Sequence, residues 1–210
     1  FKSEKYITGL FKNSGQAILE PLLDRNFDYG TILEFEDNKV VSSQDYQTFV
    51  MKSGEFKGGA INLKTIPRNP VDQQVISYLK KYNIKKSIQY DWFSYLENGV
   101  LKVQPLVEFN YRKTMGHLLM SLKNFIGNKS GVWLLLSRKE AEIPLKHSEL
   151  LSQWGELHLN DFQDEGAMVL SPLDQDFISV FVTAKKSGIT DLLAKLKIVL
   201  KNDLSNFNLF

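Results

Sequence analysis

Hydrophobic and polar side chains alternate from residue 107 onward in "VEFNYR": Val107, Phe109 and Tyr111 share one parity, and Glu108, Asn110 and Arg112 the other. A period of two over this length predicts a half-buried β-strand. The same period runs through "SIQYDWFSYLENGVLKVQPLVEFNYR", on both sides of Asn98-Gly99. That dipeptide favours a two-residue hairpin turn, because both central positions of such a turn want positive φ. The turn pairs Glu97 with Val100, and counting outward pairs Asp91 with Leu106. Paired residues share a face. Trp92, Leu96, Leu101, Val103, Val107 and Phe109 then form a core face. Asp91, Phe93, Tyr95, Lys102, Gln104, Glu108, Asn110 and Arg112 form the other. In this register Asp91 and Glu108 are diagonal neighbours, with Cβ atoms roughly 7–8 Å apart.

The same patterning predicts further elements. Tyr6, Ile7, Leu10 and Phe11 have helical spacing within residues 1–13. "QAILEPLLDR" is an apolar run that ends or bends at Pro21, which has no N–H to give a sheet. "FDYGTILEF" and residues 39–50 are strands around an Asp37-Asn38 turn. "KSGEFKGGAIN" holds three glycines and is expected to be a loop or a wide hairpin end. Asn69-Pro70 opens a helix with Val71, Val75, Leu79 and Tyr82 on its apolar stripe. "TMGHLLMSLKNFIG" is a second helix, stopped by Gly127. Strands "GVWLLLS", "AMVLSP" and "FISVFVTA" follow, then the amphipathic "GITDLLAKLKIVLKND". The fold class is α+β: an antiparallel sheet with helices on one face and a small C-terminal α/β appendage. "GNKSG" is the expected internal boundary. It gives an incomplete N-terminal unit of residues 1–128 and an appendage of residues 129–210 with no assigned role.

Composition narrows the function classes. At 43% hydrophobic and 24% charged, the chain has the makeup of a folded globular protein. A net charge of +2 gives no electrostatic reason to expect nucleic acid or a membrane surface as a partner. The absence of cysteine excludes disulfides and thiolate-ligated zinc, and it allows an intracellular, cytoplasmic setting. No apolar run is long enough to span a bilayer as a helix. Phe1 is not an initiator methionine, which suggests a fragment.

Two carboxylates and an amide on one sheet face form an oxygen-rich set that could share a divalent cation. Magnesium suits such a set, particularly with phosphate completing the shell. A strand with one wet face explains the alternation equally well. A bulge at Pro105 would shift the register.

"VEFNYR" followed by "TMG" resembles the metal- and phosphate-binding strand of the ATP-grasp ligases, Glu-x-Asn-x-Arg. "ILEPLLDRNFDYG" resembles their adenine hinge. The combination is most similar to a bacterial ATP-grasp branch of poorly defined substrate, over residues 15–126. The resemblance implies ATP and Mg2+ as cofactors, with small-molecule carboxylate and amine substrates joined through an acylphosphate. It implies that Glu20, Pro21 and Leu23 line the adenine and that Asp28 accepts from the ribose. It makes Asp91, Glu108 and Asn110 the metal ligands and Arg112 the catalytic phosphate-holding residue. Thr114 and the N–H groups of Met115 and Gly116 would face an anion.

Asp91 is shorter than the glutamate usual at its position, and Leu22 stands where this branch has a larger aromatic. Only nineteen residues precede Glu20, and none forms the family's lysine and glycine-rich flap. The chain therefore resembles a C-terminal half whose N-terminal half is missing, and by itself it is expected to be inactive. The other readings are a non-catalytic ATP-grasp-like binding domain and an unrelated α+β interaction domain. The sequence does not indicate the oligomeric state.

Other residues invite a site. His117 is expected on the helix surface, and His147 and His158 lack metal-ligand spacing. The resemblance puts the glycine-rich "SGEFKGG" near the cleft rim, with Lys57 a peripheral candidate. Asp161, Asp164 and Glu165 are expected to be solvated. Trp92, Trp133 and Trp154 are expected in the core or an interface. No serine or cysteine is placed with a histidine as nucleophile and base.

Overall fold

A computed structural model describes residues 8–9, 11–12, 15, 20–50, 55–82, 84, 86–137, 146–159 and 165–196. Among the described residues, eight strands form a single antiparallel sheet: β1 (Arg25–Glu36), β2 (Lys39–Val50), β3 (Phe56–Ile61), β4 (Ile88–Glu97), β5 (Val100–Asn110), β6 (Ser130–Ser137), β7 (Gly166–Val169) and β8 (Phe177–Ala184). Their order is β5-β4-β1-β2-β3-β6-β8-β7. The strands after residue 128 join those before it through the β3–β6 pairing. Among the described residues, the helices α1 (Asp72–Leu79), α2 (Met115–Ile126), α3 (His147–Trp154) and α4 (Ile189–Leu196) accompany the sheet. The fold is α+β.

Alternation along the strands sends side chains to two faces. Leu33, Trp92, Val132 and Val180 point to one face. There Val75 and Leu79 of α1, Leu150 and Trp154 of α3, and Ile189 and Leu193 of α4 bury against them. Their parity neighbours Ile32, Trp133 and Phe181 point to the other face, with Tyr46 and Ile61. They meet Leu119, Met120 and Ile126 of α2. Of these, α1, α3 and α4 share one face, and α2 lies on the opposite face. Full burial of a side chain such as Leu119 contributes about 1.5–3 kcal/mol. Trp92, Trp133 and Trp154 are all buried.

Three local expectations change. Residues 56–61, expected as a loop, form the interior strand β3, and its glycines make that possible. A Cβ on Gly59 would lie 2.7 Å from the Gln47 carbonyl oxygen and 2.9 Å from a Leu119 methyl, and one on Gly58 would run into the Trp133 carbonyl. Neighbouring backbones approach where side chains are missing. The strand expected from "QAILEPLLDR" is absent over residues 20–24, and the sheet begins at Arg25. Residues 16–19 lie outside the described residues.

The third change is in the hairpin register. Glu97↔Val100 holds as far as Phe93↔Gln104, but Asp91 then pairs with Glu108. Residues 105–107 therefore stand against Trp92 alone, and β5 carries two extra residues at Pro105, whose ring nitrogen gives the ladder no donor. Leu106 joins the core beside Trp92. Val107, expected in that core, is 49% exposed, and Leu96 and Leu101 near the hairpin tip are also exposed. Buried Asn69 braces the irregularity. Its Nδ2 donates to the Pro105 carbonyl at 2.8 Å, and its Oδ1 accepts from the Val71 N–H at 3.1 Å.

Candidate functional site

The α2-bearing face continues over β1, β4 and β5, where Asp28, Asp91, Phe93, Glu108 and Asn110 share it through the pairs Asp28↔Phe93, Gly30↔Asp91 and Asp91↔Glu108. Asp91 and Glu108 are directly opposite rather than diagonal. The shift of two residues in β5 brings them closer and keeps them on one face. Asn110 Nδ2 donates to Glu108 Oε1 at 2.7 Å and to Asp91 Oδ2 at 3.3 Å. Gln89 Nε2 donates to Asp91 Oδ1 at 2.8 Å. Burial is the largest cause pushing the Asp91 carboxyl up to about 6. The Gln89 bond opposes it, while the charges of Glu108 and Asp28 add to it. Two carboxylates this close favour either a proton or a cation between them.

The residues fit a hard cation. Asp91 and Glu108 supply carboxylate oxygens, and turning the Asn110 amide over presents its Oδ1 in place of the donating Nδ2. Among the described residues, no group of three or more His, Asp or Glu side chains is placed to hold a metal.

Arg112 lies just past the end of β5 and is exposed. With Lys86 and Lys113 it lines a surface cavity of about 570 Å³, where Glu34, Glu36, Ser87 and Tyr111 also contribute. Next to it, Thr114 caps α2. Its backbone N–H donates to His117 Nδ1 at 3.1 Å, and His117 Nε2 lies 2.8 Å from Ser87 Oγ. With Nδ1 accepting, Nε2 carries the ring proton and donates to Ser87. Burial is the main cause lowering the His117 pKa, with Lys113 adding to it. His117 is thus the clamp on the first turn of α2. Within that turn, the N–H groups of Met115 and Gly116 have no preceding carbonyl of the helix to bond.

The hinge residues are placed differently. Glu20, Pro21 and Leu22 are exposed and Leu23 is half-buried, at the hairpin-tip end of the sheet, where the Leu96 N–H donates to the Asp24 carbonyl at 3.2 Å. Arg25 pairs with Tyr95, so β1 starts four residues of β4 away from Asp91, about 13 Å at the usual rise. Arg112 lies beyond Asp91 at the opposite end. The structure therefore gathers Asp91, Glu108 and Asn110, and spreads the hinge and Arg112 to either side. Asp28 lies between the hinge and the carboxylates. Arg25 Nη1 donates to Asp28 Oδ1 at 3.0 Å while its guanidinium stacks 4.4 Å over Phe93. Burial raises the Asp28 carboxyl and Arg25 opposes it.

Of the remaining candidates, Lys57 is buried and ion-paired to Glu55 at 2.8 Å. Glu165 accepts from the Lys185 N–H at 3.0 Å, and Asp161 and Asp164 lie outside the described residues. His147 and His158, distant in sequence, have ring centroids 6.0 Å apart.

Two residues that sequence reasoning passed over complete the site. Buried Gln89 accepts from Thr114 Oγ1 while donating to Asp91. Buried Tyr46 reaches over Gly30 and places its hydroxyl beside Gln89 and Thr114. The parity of Gln89 with Asp91 was a signal for the first. Nothing in the local sequence marks the second, because Tyr46 arrives from β2 across β1.

No protein-family model matches the sequence, and no curated protein matches it. Solved structures do resemble it. N5-carboxyaminoimidazole ribonucleotide synthetase from Thermus thermophilus matches with a TM-score of 0.58 at 11% identity, over 95% of this chain and 58% of that one. Biotin carboxylase from Campylobacter jejuni, in a β,γ-ATP complex, matches with a TM-score of 0.55 at 8% identity, over 97% and 51%. The phosphoribosylaminoimidazole carboxylase ATPase subunit from Aquifex aeolicus matches with a TM-score of 0.54 at 11% identity, over 87% and 58%. The chain spans little more than half the length of these proteins.

Proposed function

From a chain whose fold is that of the ATP-grasp ligases, we propose that the face carrying Asp28, Asp91, Glu108 and Asn110 binds ATP and Mg2+, as part of an ATP-dependent carboxylate–amine ligase acting through an acylphosphate. The observation that carries this reading is the direct pairing of Asp91 with Glu108, with Asn110 across both. Such a pair is costly without a cation and useful with one. The adenine lies toward Glu20, Pro21 and Leu23, with Asp28 on the ribose side. The phosphates point toward the carboxylates and the start of α2. Arg112 faces the transferring phosphoryl group or the carboxylate substrate, where a planar charged fork holds two oxygens at once.

Magnesium, when bound, offsets negative charge on the phosphates. The chain's own residues orient and position. Asp91 and Glu108 hold the cation in their deprotonated forms. Met115 and Gly116 direct backbone N–H groups at an anion, and the His117–Thr114 cap keeps that turn in place. These are contributions of position and electrostatics, which carry phosphoryl transfer. The test is Mn2+ binding to the 210-residue chain, followed by electron paramagnetic resonance. Saturable binding that Mg2+ displaces and that Glu108→Gln or Asp91→Asn weakens at least tenfold is expected. No binding, or binding indifferent to both substitutions, refutes the reading.

A further inference from the structure

We propose that Gln89 is a positioning residue that holds the Asp91 carboxylate at a fixed distance from the anion-facing turn of Thr114, Met115 and Gly116. The inference rests on the cation and phosphate reading of this face and adds to it how the two halves of the site are tied together.

Gln89 lies on β4 opposite Asn110 and is 6% exposed. Both ends of its amide are used. Nε2 donates to Asp91 Oδ1 at 2.8 Å, and Oε1 accepts from the Thr114 hydroxyl. Tyr46 buttresses the link from the far side, its hydroxyl beside both Gln89 and Thr114. Space for that hydroxyl exists because residues 30 and 116 are glycines. A Cβ on Gly30 would lie 2.5 Å from the Tyr46 ring and hydroxyl, and one on Gly116 would overlap the hydroxyl and lie 2.7 Å from Gln89 Oε1. A phosphate touching both a cation on Asp91 and the N–H groups of the turn needs those two partners at one separation. In this fold a single side-chain amide spans that separation. An amide suits this position, since it donates to a carboxylate through one atom and accepts from a hydroxyl through the other. A glutamate would face Asp91 with like charge, and a leucine would satisfy neither neighbour.

The experiment measures Mn2+ affinity in the 210-residue chain carrying Gln89→Leu, Gln89→Glu, Thr114→Val, Thr114→Ser and the Gln89→Leu/Thr114→Val pair, each checked for folding by thermal melt. Loss of a bond to a ligating group weakens metal affinity about 10–100-fold, and that loss is expected for both Gln89 variants. Thr114→Val is expected to weaken binding less and Thr114→Ser to restore it. The double variant is expected to bind no worse than Gln89→Leu alone, because both remove one link. A purely structural role would lower melting temperatures with affinity unchanged in the folded fraction, and that result overturns the inference. So does a double variant whose losses simply multiply. Thr114→Val, whose side chain is half-buried and isosteric, keeps the test decisive if Gln89→Leu does not fold. Absence of Mn2+ binding by the unsubstituted chain refutes the proposed function and this inference with it. Tight binding untouched by Gln89→Leu refutes this inference alone.

Discussion

Asp91 and Glu108 face each other directly across β4 and β5, and the Asn110 amide donates to both. The fold pushes the Asp91 carboxyl from 3.8 to about 6, chiefly by burial. Its protonated form is therefore the one the folded state favours. Between pH 4 and pH 6 Asp91 is protonated more in the native than in the unfolded chain, so its contribution to stability falls as pH rises through that window. We expect a loss on the order of 2 kcal/mol after allowance for partial solvation. Denaturant midpoints across pH 4–7 should show this slope, and Asp91→Asn should reduce it, with the raised Asp28 and Asp45 carboxyls supplying what remains. Divalent cation affinity should run the opposite way and weaken below about pH 6, because the cation must displace that proton.

Glu108→Gln removes the nearest like charge. The Asp91 pKa should then move down, yet stay above 3.8, since burial, the largest cause, outweighs the opposing Gln89 bond. Carboxyl-carbon chemical shifts followed against pH measure this. A pKa that does not move would mean that the two side chains are not in electrostatic contact in solution.

Most of this site was legible in the pattern around Asn98-Gly99. The shared face of Asp91, Glu108 and Asn110 follows from alternation and the turn alone. The pairing of Asp91 with Glu108 does not, because residues 105–107 contain a local irregularity that periodicity cannot register. β3 was missed for the opposite reason. Its glycines signal a loop in isolation, and only the backbones of Trp133 and Gln47 lying against them show why a strand needs glycine there. Tyr46 was illegible because its role depends on β2 lying beside β1 and on two glycines far from it in sequence.

Gly116→Ala should destabilise the protein by about 1–3 kcal/mol, although alanine normally favours a helix over glycine by about 1 kcal/mol. The added methyl meets the Tyr46 hydroxyl and the Gln89 amide. Tyr46→Phe removes the hydroxyl and should recover part of the loss. Thermal melts of the two single variants and the double variant give the coupling, and strict additivity would refute the contact.

Asn69→Ala should cost about 1–3 kcal/mol, because it strips the Pro105 carbonyl and the Val71 N–H of their partner in a buried setting. Asn69→Asp should cost a similar amount, since a carboxylate can still accept from Val71 but cannot donate to Pro105. Chemical denaturation of both variants checks this, and an unchanged midpoint in either would show that solvent reaches the groups.

The extra length of β5 at Pro105 also sets an arithmetic on the gene. Because the surplus is an even number, every side chain from Glu108 onward keeps its side of the sheet. Removing one residue from positions 105–107 would turn Glu108 and Asn110 inward among Trp92 and Leu106 and turn Phe109 out to water. Removing two would restore an unbroken ladder and leave the acids where they are. Shortening by one codon should therefore be ruinous and shortening by two codons tolerable. Length changes that persist in this segment should come in pairs.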